Sequence, residues 1–151
     1  MHYRAGMHDG ALGVWTLRCD GGARGNPGPG AAAYALFDVR GAEVEGRGEY
    51  LGAVTNNVAE YRALLAGLEA ARLRGARKVR VCMDSELVVR QMTGAYRVKN
   101  AALKPLHEAA RHEVAAFESV QFVAVRREEN ARADELVNET LDRVLNSESP
   151  R

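Results

Sequence analysis

At Thr55 the chain changes rhythm. Before that point apolar residues come in short runs broken by glycine and proline: "VWTLRCD" (Val14 to Asp20), "AAAYALFDV" (Ala31 to Val39) and "EVEGRGEYLG" (Glu43 to Gly52). Runs of this length, rich in strand formers and bounded by turn residues, read as a meander of antiparallel strands. The alternating charges of the third suit an edge strand with one wet face. After Thr55 the period lengthens, because Val58, Tyr61, Leu64, Leu65, Leu68 and Ala71 recur at steps of three and four. That spacing puts side chains on one face of a helix, with Thr55 or Asn56 placed to cap its start and Gly75 to end it.

The rest of the pattern predicts a strand at Lys78 to Met83, a short helix at Ser85 to Met92 and a helix at Leu103 to Phe117. A strand at Val120 to Val125 and a last helix at Ala131 to Leu145 follow. The order is βββαβααβα. A strand entered from a helix runs parallel to the strand before it through a right-handed crossover, so the fourth and fifth strands extend the sheet parallel to the first. The expected fold class is α/β, a five-stranded mixed sheet with helices on both faces.

Length and composition narrow the picture without changing it. A chain of 151 residues fits one domain, since about two thirds of its unfolded surface can be buried. That domain is expected over residues 14–146, between a flexible tail at 1–13 that includes His2 and His8 and a short polar tail at 147–151. The net charge of +1 gives no overall basic field, so any nucleic-acid site must be a local patch. Cys19 and Cys82 fall in predicted buried strands and not in a CxxC pair, which favours reduced core thiols. No apolar run approaches the roughly 20 residues of a membrane span, and "MHYRAGMHDGALG" has no secretory hydrophobic stretch. A cytoplasmic location, no membrane partner and a monomer are the expectations.

The informative residues are acids in apolar settings. Asp20 ends the first predicted strand and Asp84 the fourth, while Glu60 and Asp134 stand early in the first long helix and the last. Glu60 is followed at four and eight by Leu64 and Leu68, Asp84 by Leu87 and Val88, and Asp134 by Val137 and Leu141, so these acids point inward. Singly, each has an ordinary reading as a turn former, helix cap, first-turn dipole partner or solvated residue. Together they need a shared cation, because a carboxylate on an apolar face is costly without a partner. In open α/β sheets binding groups gather at the carboxyl ends of strands, where Asp20 and Asp84 lie. Hard oxygen ligands without His or Cys suit Mg²⁺ or Mn²⁺. Two such ions about 3.5 to 4 Å apart serve an in-line displacement at phosphorus, which makes a phosphodiester the natural substrate.

Four stretches, "CDGGARGNPGPGAAAY", "TNNVAEYRALLAGL", "VCMDSELVVRQM" and "REENARADELVNETL", resemble type 1 ribonucleases H in order and separation. Those enzymes cut the RNA strand of RNA/DNA hybrids, and the resemblance covers nearly everything from Trp15 to Leu145. It implies the ribonuclease H fold and two divalent ions in the substrate complex. It also places the family's acidic tetrad on Asp20, Glu60, Asp84 and Asp134, with Asp20 as the acid shared by both ions. The glycine loop containing Gly21, Gly22, Gly25 and Asn26 is implied to let backbone amides approach the RNA. Thr55, Asn56, Asn57 and Ser85 are implied to meet the hybrid, Thr55 near a DNA phosphate.

Two departures from the family stand out. The histidine-bearing loop before the last helix is replaced by the shorter "VRREENARAD", which leaves two alternatives: Arg126, Arg127 or Glu128 takes part of its role, or metal-bound water serves alone. The basic protrusion is missing as well: Gly94 to Pro105 holds only Arg97, Lys99 and Lys104 and no tryptophan, so hybrid binding is expected to be weaker or more salt-sensitive. "HEAARH" is no zinc helix, its histidines being five apart, and "GGARGNPG" lacks the Lys-Ser/Thr pair of a phosphate-binding Walker loop. "RLRGARKVR" reads as a helix end leading into a strand start, away from Asp84, and Tyr96 is the aromatic candidate for stacking on substrate. The competing functional classes are a non-cutting nucleic-acid-binding module and a nuclease of the same superfold with another substrate.

Overall fold

The computed structural model describes residues 13–147. The two expected tails, with His2 and His8, fall outside the described residues apart from Gly13 and Ser147. Strands β1 (Val14–Ala23), β2 (Gly28–Phe37) and β3 (Glu43–Val54) are followed by helix α1 (Asn56–Leu73), β4 (Lys78–Met83) and α2 (Glu86–Met92). Then come α3 (Lys104–Val114), β5 (Ser119–Ala124), a 3₁₀ turn (Arg127–Asn130) and α4 (Ala131–Ser147). The five strands lie in the order β3-β2-β1-β4-β5. β1 to β3 pair antiparallel, and β4 runs parallel to both β1 and β5.

The element order and sheet directions match the sequence pattern, and the differences are at the ends. β1 does not stop at Asp20 but continues through Gly21, Gly22 and Ala23, which pair with Ala32, Ala31 and Gly30. Glycine permits a turn without imposing one, and here the β2 ladder satisfies the backbone. The turn is thereby moved to Arg24–Pro27, closed by Arg24 N–H donating to Pro29 O at 2.8 Å. Thr55, not Asn56, caps α1, its hydroxyl accepting from Val58 N–H at 3.3 Å, and Gly75 leaves the helix with φ 84°. Ser85 is the cap of α2. The 3₁₀ turn had no periodic signal, being a single turn of charged residues.

Alternation along β2 separates two cores. Tyr34 and Leu36 face α1 and join Leu17, Cys19, Tyr61, Leu64, Leu68, Val79, Val81 and Met83. Full burial of each large side chain here contributes about 1.5–3 kcal/mol. Ala31, Ala33 and Ala35 face the other way, against Leu136, Val137 and Leu141 of α4. The aromatic side chains of the two cores include Tyr34 and Tyr61, which are buried, and Trp15, Phe37 and Phe122, which are half-buried at the margins. Both cysteines are buried free thiols. The "RLRGARKVR" cations are used locally, Arg72 pairing with Glu113, Arg74 with Glu45, and Arg77 and Lys78 with Glu118. Among the described residues no helix is long and apolar enough to cross a membrane.

The small residues of β2 and β3 set how closely α4 lies. A Cβ on Gly48 would stand 2.1 Å from Thr140 Oγ1 and 3.0 Å from Leu136 O. Gly48→Ala therefore forces α4 away and is expected to lower unfolding stability by about 1–3 kcal/mol. Urea denaturation checks this, and a variant as stable as the parent would show that α4 is not held at that distance.

Candidate active site

The parallel ladder between β1 and β4 ends at the pair Cys19 and Met83, so Asp20 and Asp84 are the next residues on two adjacent strands. Asp84 follows the last residue of β4, as expected, in the bend before Ser85, so the strand direction rather than the helical spacing to Leu87 and Val88 aims it. Asp20 pairs with Ala33 and so shares the face of the sheet that α4 covers. Glu60 comes from α1 on the opposite face. It reaches the sheet because a Cβ on Gly21 would lie 2.3 Å from the Ala59 carbonyl, space that only glycine leaves open. Gly21 N–H also donates to Glu60 Oε1 at 3.0 Å. Gly21 thus holds the acid in place and has no free amide to offer a ligand.

Asp20, Glu60 and Asp84 each present an oxygen within 4.8 Å of the others. Asp134, on the first turn of α4, lines the same cavity of about 400 Å³. All four predicted acids are therefore brought together. Asp20 is 7% exposed and Glu60 9%. Burial first, then the charges of Asp84 and Asp134 beside it, push the Asp20 carboxyl up to about 8. Burial and the charges of Asp20 and Asp84 hold Glu60 well above the usual carboxylate range, opposed by the Gly21 N–H and by Arg127. Asp84 Oδ1 is buried without a hydrogen-bond partner. Crowded carboxylates with an unpaired buried oxygen, and no thiolate or imidazole among them, form a donor set for a hard divalent cation.

The turn that replaces the histidine loop separates its three candidates. Arg127 lines the acidic cavity, whereas Arg126 pairs with Glu128 and Glu129 at 3.6 and 3.7 Å. Asn130, at the end of the turn, is buried and donates to Cys19 O at 2.8 Å, which ties the turn to the end of the β1–β4 ladder. Sequence spacing gave no sign of this contact, because its partners are 111 residues apart.

The predicted substrate residues cluster beside the acids. Ala23 N–H donates to Asn56 Oδ1 at 2.9 Å, and Asn56 N–H donates to Asn26 Oδ1 at 3.0 Å. The two asparagine carbonyls thus clamp the β1–β2 turn to the start of α1, and their NH₂ groups have no partner among the described residues. Asn26, Thr55 and Asn57 line a cavity of about 260 Å³ together with Asn100, which the sequence reading did not single out. Asn100 Oδ1 accepts from Ala102 and Leu103 N–H, so it reads locally as a turn former. Gly22 lines the acidic cavity, and a Cβ there would meet nothing within 4 Å. Ser85 borders Asp84 in sequence but does not line that cavity.

A further cleft of about 570 Å³ between α2 and α3 is lined by Tyr96, Arg97, Lys104, His107 and Arg111. Arg90 stacks over the exposed Tyr96 ring at 5.5 Å from its centroid. The cations are scattered between residues 90 and 111 and form a patch only when α2 and α3 pack, so the sequence showed just part of it.

A family profile described as reverse transcriptase-like matches residues 18–140. The chain is 39% identical over 133 residues to the bifunctional protein Rv2228c of Mycobacterium tuberculosis, covering 87% of this chain and 36% of that protein. Ribonuclease HI of Halobacterium salinarum is 42% identical over 123 residues, covering 82% of this chain and 62% of that protein. The solved structure of the Halobacterium RNase H1 superposes with a TM-score of 0.84 at 40% identity, over 87% of this chain and 99% of that one. LC11-RNase H1, solved in complex with an RNA/DNA hybrid, gives 0.82 at 43% identity, over 87% and 99%. The chain belongs to the type 1 ribonuclease H family. It spans about a third of the length of the mycobacterial relative.

Glu60 carries both a structural bond and a repelled charge, and the two can be separated. With divalent ions chelated, Glu60→Gln keeps an acceptor for Gly21 N–H and carries no charge at any pH, so stability is expected to hold, and to rise where Glu60 would be ionised. Glu60→Ala leaves that N–H unpaired and is expected to cost about 1–3 kcal/mol. Thermal unfolding of both variants checks this, and equal losses would contradict it.

Proposed function

We propose that this chain is an endoribonuclease that hydrolyses the RNA strand of RNA/DNA hybrids, using Mg²⁺ or Mn²⁺ held two at a time by Asp20, Glu60, Asp84 and Asp134. The observation that carries this reading is the convergence of Asp20, Glu60 and Asp84 within 4.8 Å of one another, together with a buried oxygen of Asp84 that has no hydrogen-bond partner. Membership of the ribonuclease H family supports the reaction, and the hybrid bound to LC11-RNase H1 supports the substrate. When bound, the cations supply the charge that stabilises the attacking and leaving oxygens of an in-line displacement at phosphorus.

The chain's own residues do the rest. Asp20, Glu60 and Asp84, whose oxygens lie within 4.8 Å of one another, would hold the cations together with Asp134. Asp134, half-exposed on α4, orients the attacking water. The water oxygen bonds to phosphorus as the phosphorus–O3′ bond breaks, leaving a 5′-phosphate and a 3′-hydroxyl. Arg127 lines the cavity beside Glu60 and adds a fixed positive charge for the phosphate. Gly22 leaves room for the RNA backbone, and the NH₂ groups of Asn26, Asn56 and Asn57 serve as donors to its minor-groove edge. Thr55 takes a DNA phosphate, and Ser85 meets the RNA next to Asp84. The basic cleft between α2 and α3 gives the DNA strand a few phosphate contacts, fewer than a full protrusion would provide.

The test is cleavage of hybrid, RNA duplex, DNA duplex and single strands, labelling each strand in turn. Loss of the hybrid's RNA strand alone is expected, with activity abolished by EDTA and restored by Mg²⁺ or Mn²⁺. Asp84→Asn is expected to lower the rate about 10³-fold or more. Hybrid binding without cleavage under either metal would leave a binding module, and cleavage of a different duplex would assign another substrate.

A further inference from the structure

Arg24 projects from the β1–β2 turn into the acidic cavity and meets α4 there. Its Nη2 pairs with Asp142 Oδ1 at 2.8 Å and stands 3.4 Å from Asn138 Oδ1. Asn138 Nδ2 in turn donates to Asp134 O at 3.1 Å and lies 3.4 Å from Asp134 Oδ2. Asp134, Asn138 and Asp142 follow one another at intervals of four on α4, so they share the face that Arg24 reaches.

An asparagine amide can be turned end for end, and nothing in its shape decides between the two orientations. Here its neighbours decide. A guanidinium has only donors and an ionised carboxylate only acceptors, so one orientation alone satisfies both sides: oxygen toward Arg24 and NH₂ toward Asp134. The 3.4 Å contacts are long for hydrogen bonds, which makes this an orienting arrangement more than a strong one. Its stronger member, Arg24 to Asp142, fixes the guanidinium in place.

We propose that Arg24 and Asn138 are positioning residues for Asp134. Arg24, anchored by Asp142, sets the Asn138 amide, and that amide restrains the Asp134 carboxyl so that its other oxygen faces the cavity. The same arginine belongs to the turn that carries Asn26, so it joins the loop proposed to contact RNA to the helix carrying Asp134. The catalytic part of this inference rests on the hybrid-cleaving reading; the orientation of Asn138 does not.

The test joins a measurement on the metal-free protein to kinetics. In the side-chain amide NMR spectrum, Arg24→Ala is expected to move the Asn138 NH₂ resonances toward those of a free amide. On hybrid with Mg²⁺, Asn138→Ala is expected to lower kcat about 10-fold while KM stays within about 2-fold. Arg24→Ala shares part of that loss, and the double variant is no slower than Asn138→Ala alone. Unmoved Asn138 resonances, strictly additive kinetic losses, or a rise in KM with kcat preserved would overturn the proposal, the last making Arg24 a direct phosphate contact. If the unaltered chain fails to cut hybrid, the functional reading fails, while the resonance shift still decides whether Arg24 sets Asn138.

Discussion

The repulsion among buried carboxylates at the end of β1 is the constraint around which the rest of the structure is arranged. Asp20 is pressed between Asp84, just past the end of the next strand, and Asp134 on α4, with Glu60 close by from α1. Such a cluster is unfavourable in itself, since charges of one sign are confined where water screens them least. The sign of the cost follows from the raised pKa of Asp20. A proton bound more tightly in the folded state stabilises the fold at low pH, and this contribution is lost as pH rises from about 4 toward about 8. As pH rises toward about 8 the metal-free site is therefore held together increasingly against its own charge, which a bound divalent cation would relieve.

What supplies the opposing force is ordinary packing on both faces of the sheet. The α1 core, with Tyr61, Leu64 and Leu68 fully buried, seats the helix so firmly that Ala59 and Glu60 lie against the backbone of Gly21. On the other face, Ala31, Ala33 and Ala35 let α4 approach and carry Asp134 to the same corner. The loops are drawn in by polar contacts: Asn26 and Asn56 hold the β1–β2 turn to α1, and Asn130 holds the 3₁₀ turn to Cys19. The donors proposed to meet nucleic acid are thus fixed relative to the acids by bonds that use only the opposite ends of the same side chains.

Much of this was legible in the sequence because periodicity reports burial. The steps of three and four after Thr55 located α1, and the short runs located the five strands whose order and direction the sheet confirms. The acids were legible because they interrupt apolar patterns, as Glu60 does above Leu64 and Leu68. Less was visible where no period exists. The continuation of β1 through Gly21 and Gly22 depends on pairing with β2, and the selection of Arg127 over Arg126 depends on a single turn of 3₁₀ helix. Contacts such as Arg24 with Asn138 link residues 114 apart, and nothing local in either segment announces them.

The central physical claim is that Asp20 is a strained carboxylate which a divalent cation relaxes. Carbon-13 NMR of the Asp20 carboxyl, titrated with and without Mg²⁺, tests it most directly. A midpoint near 8 in the metal-free protein, falling below the ordinary range when Mg²⁺ is added, is the predicted result. A midpoint near the unperturbed 3.8 that Mg²⁺ leaves unmoved would contradict it.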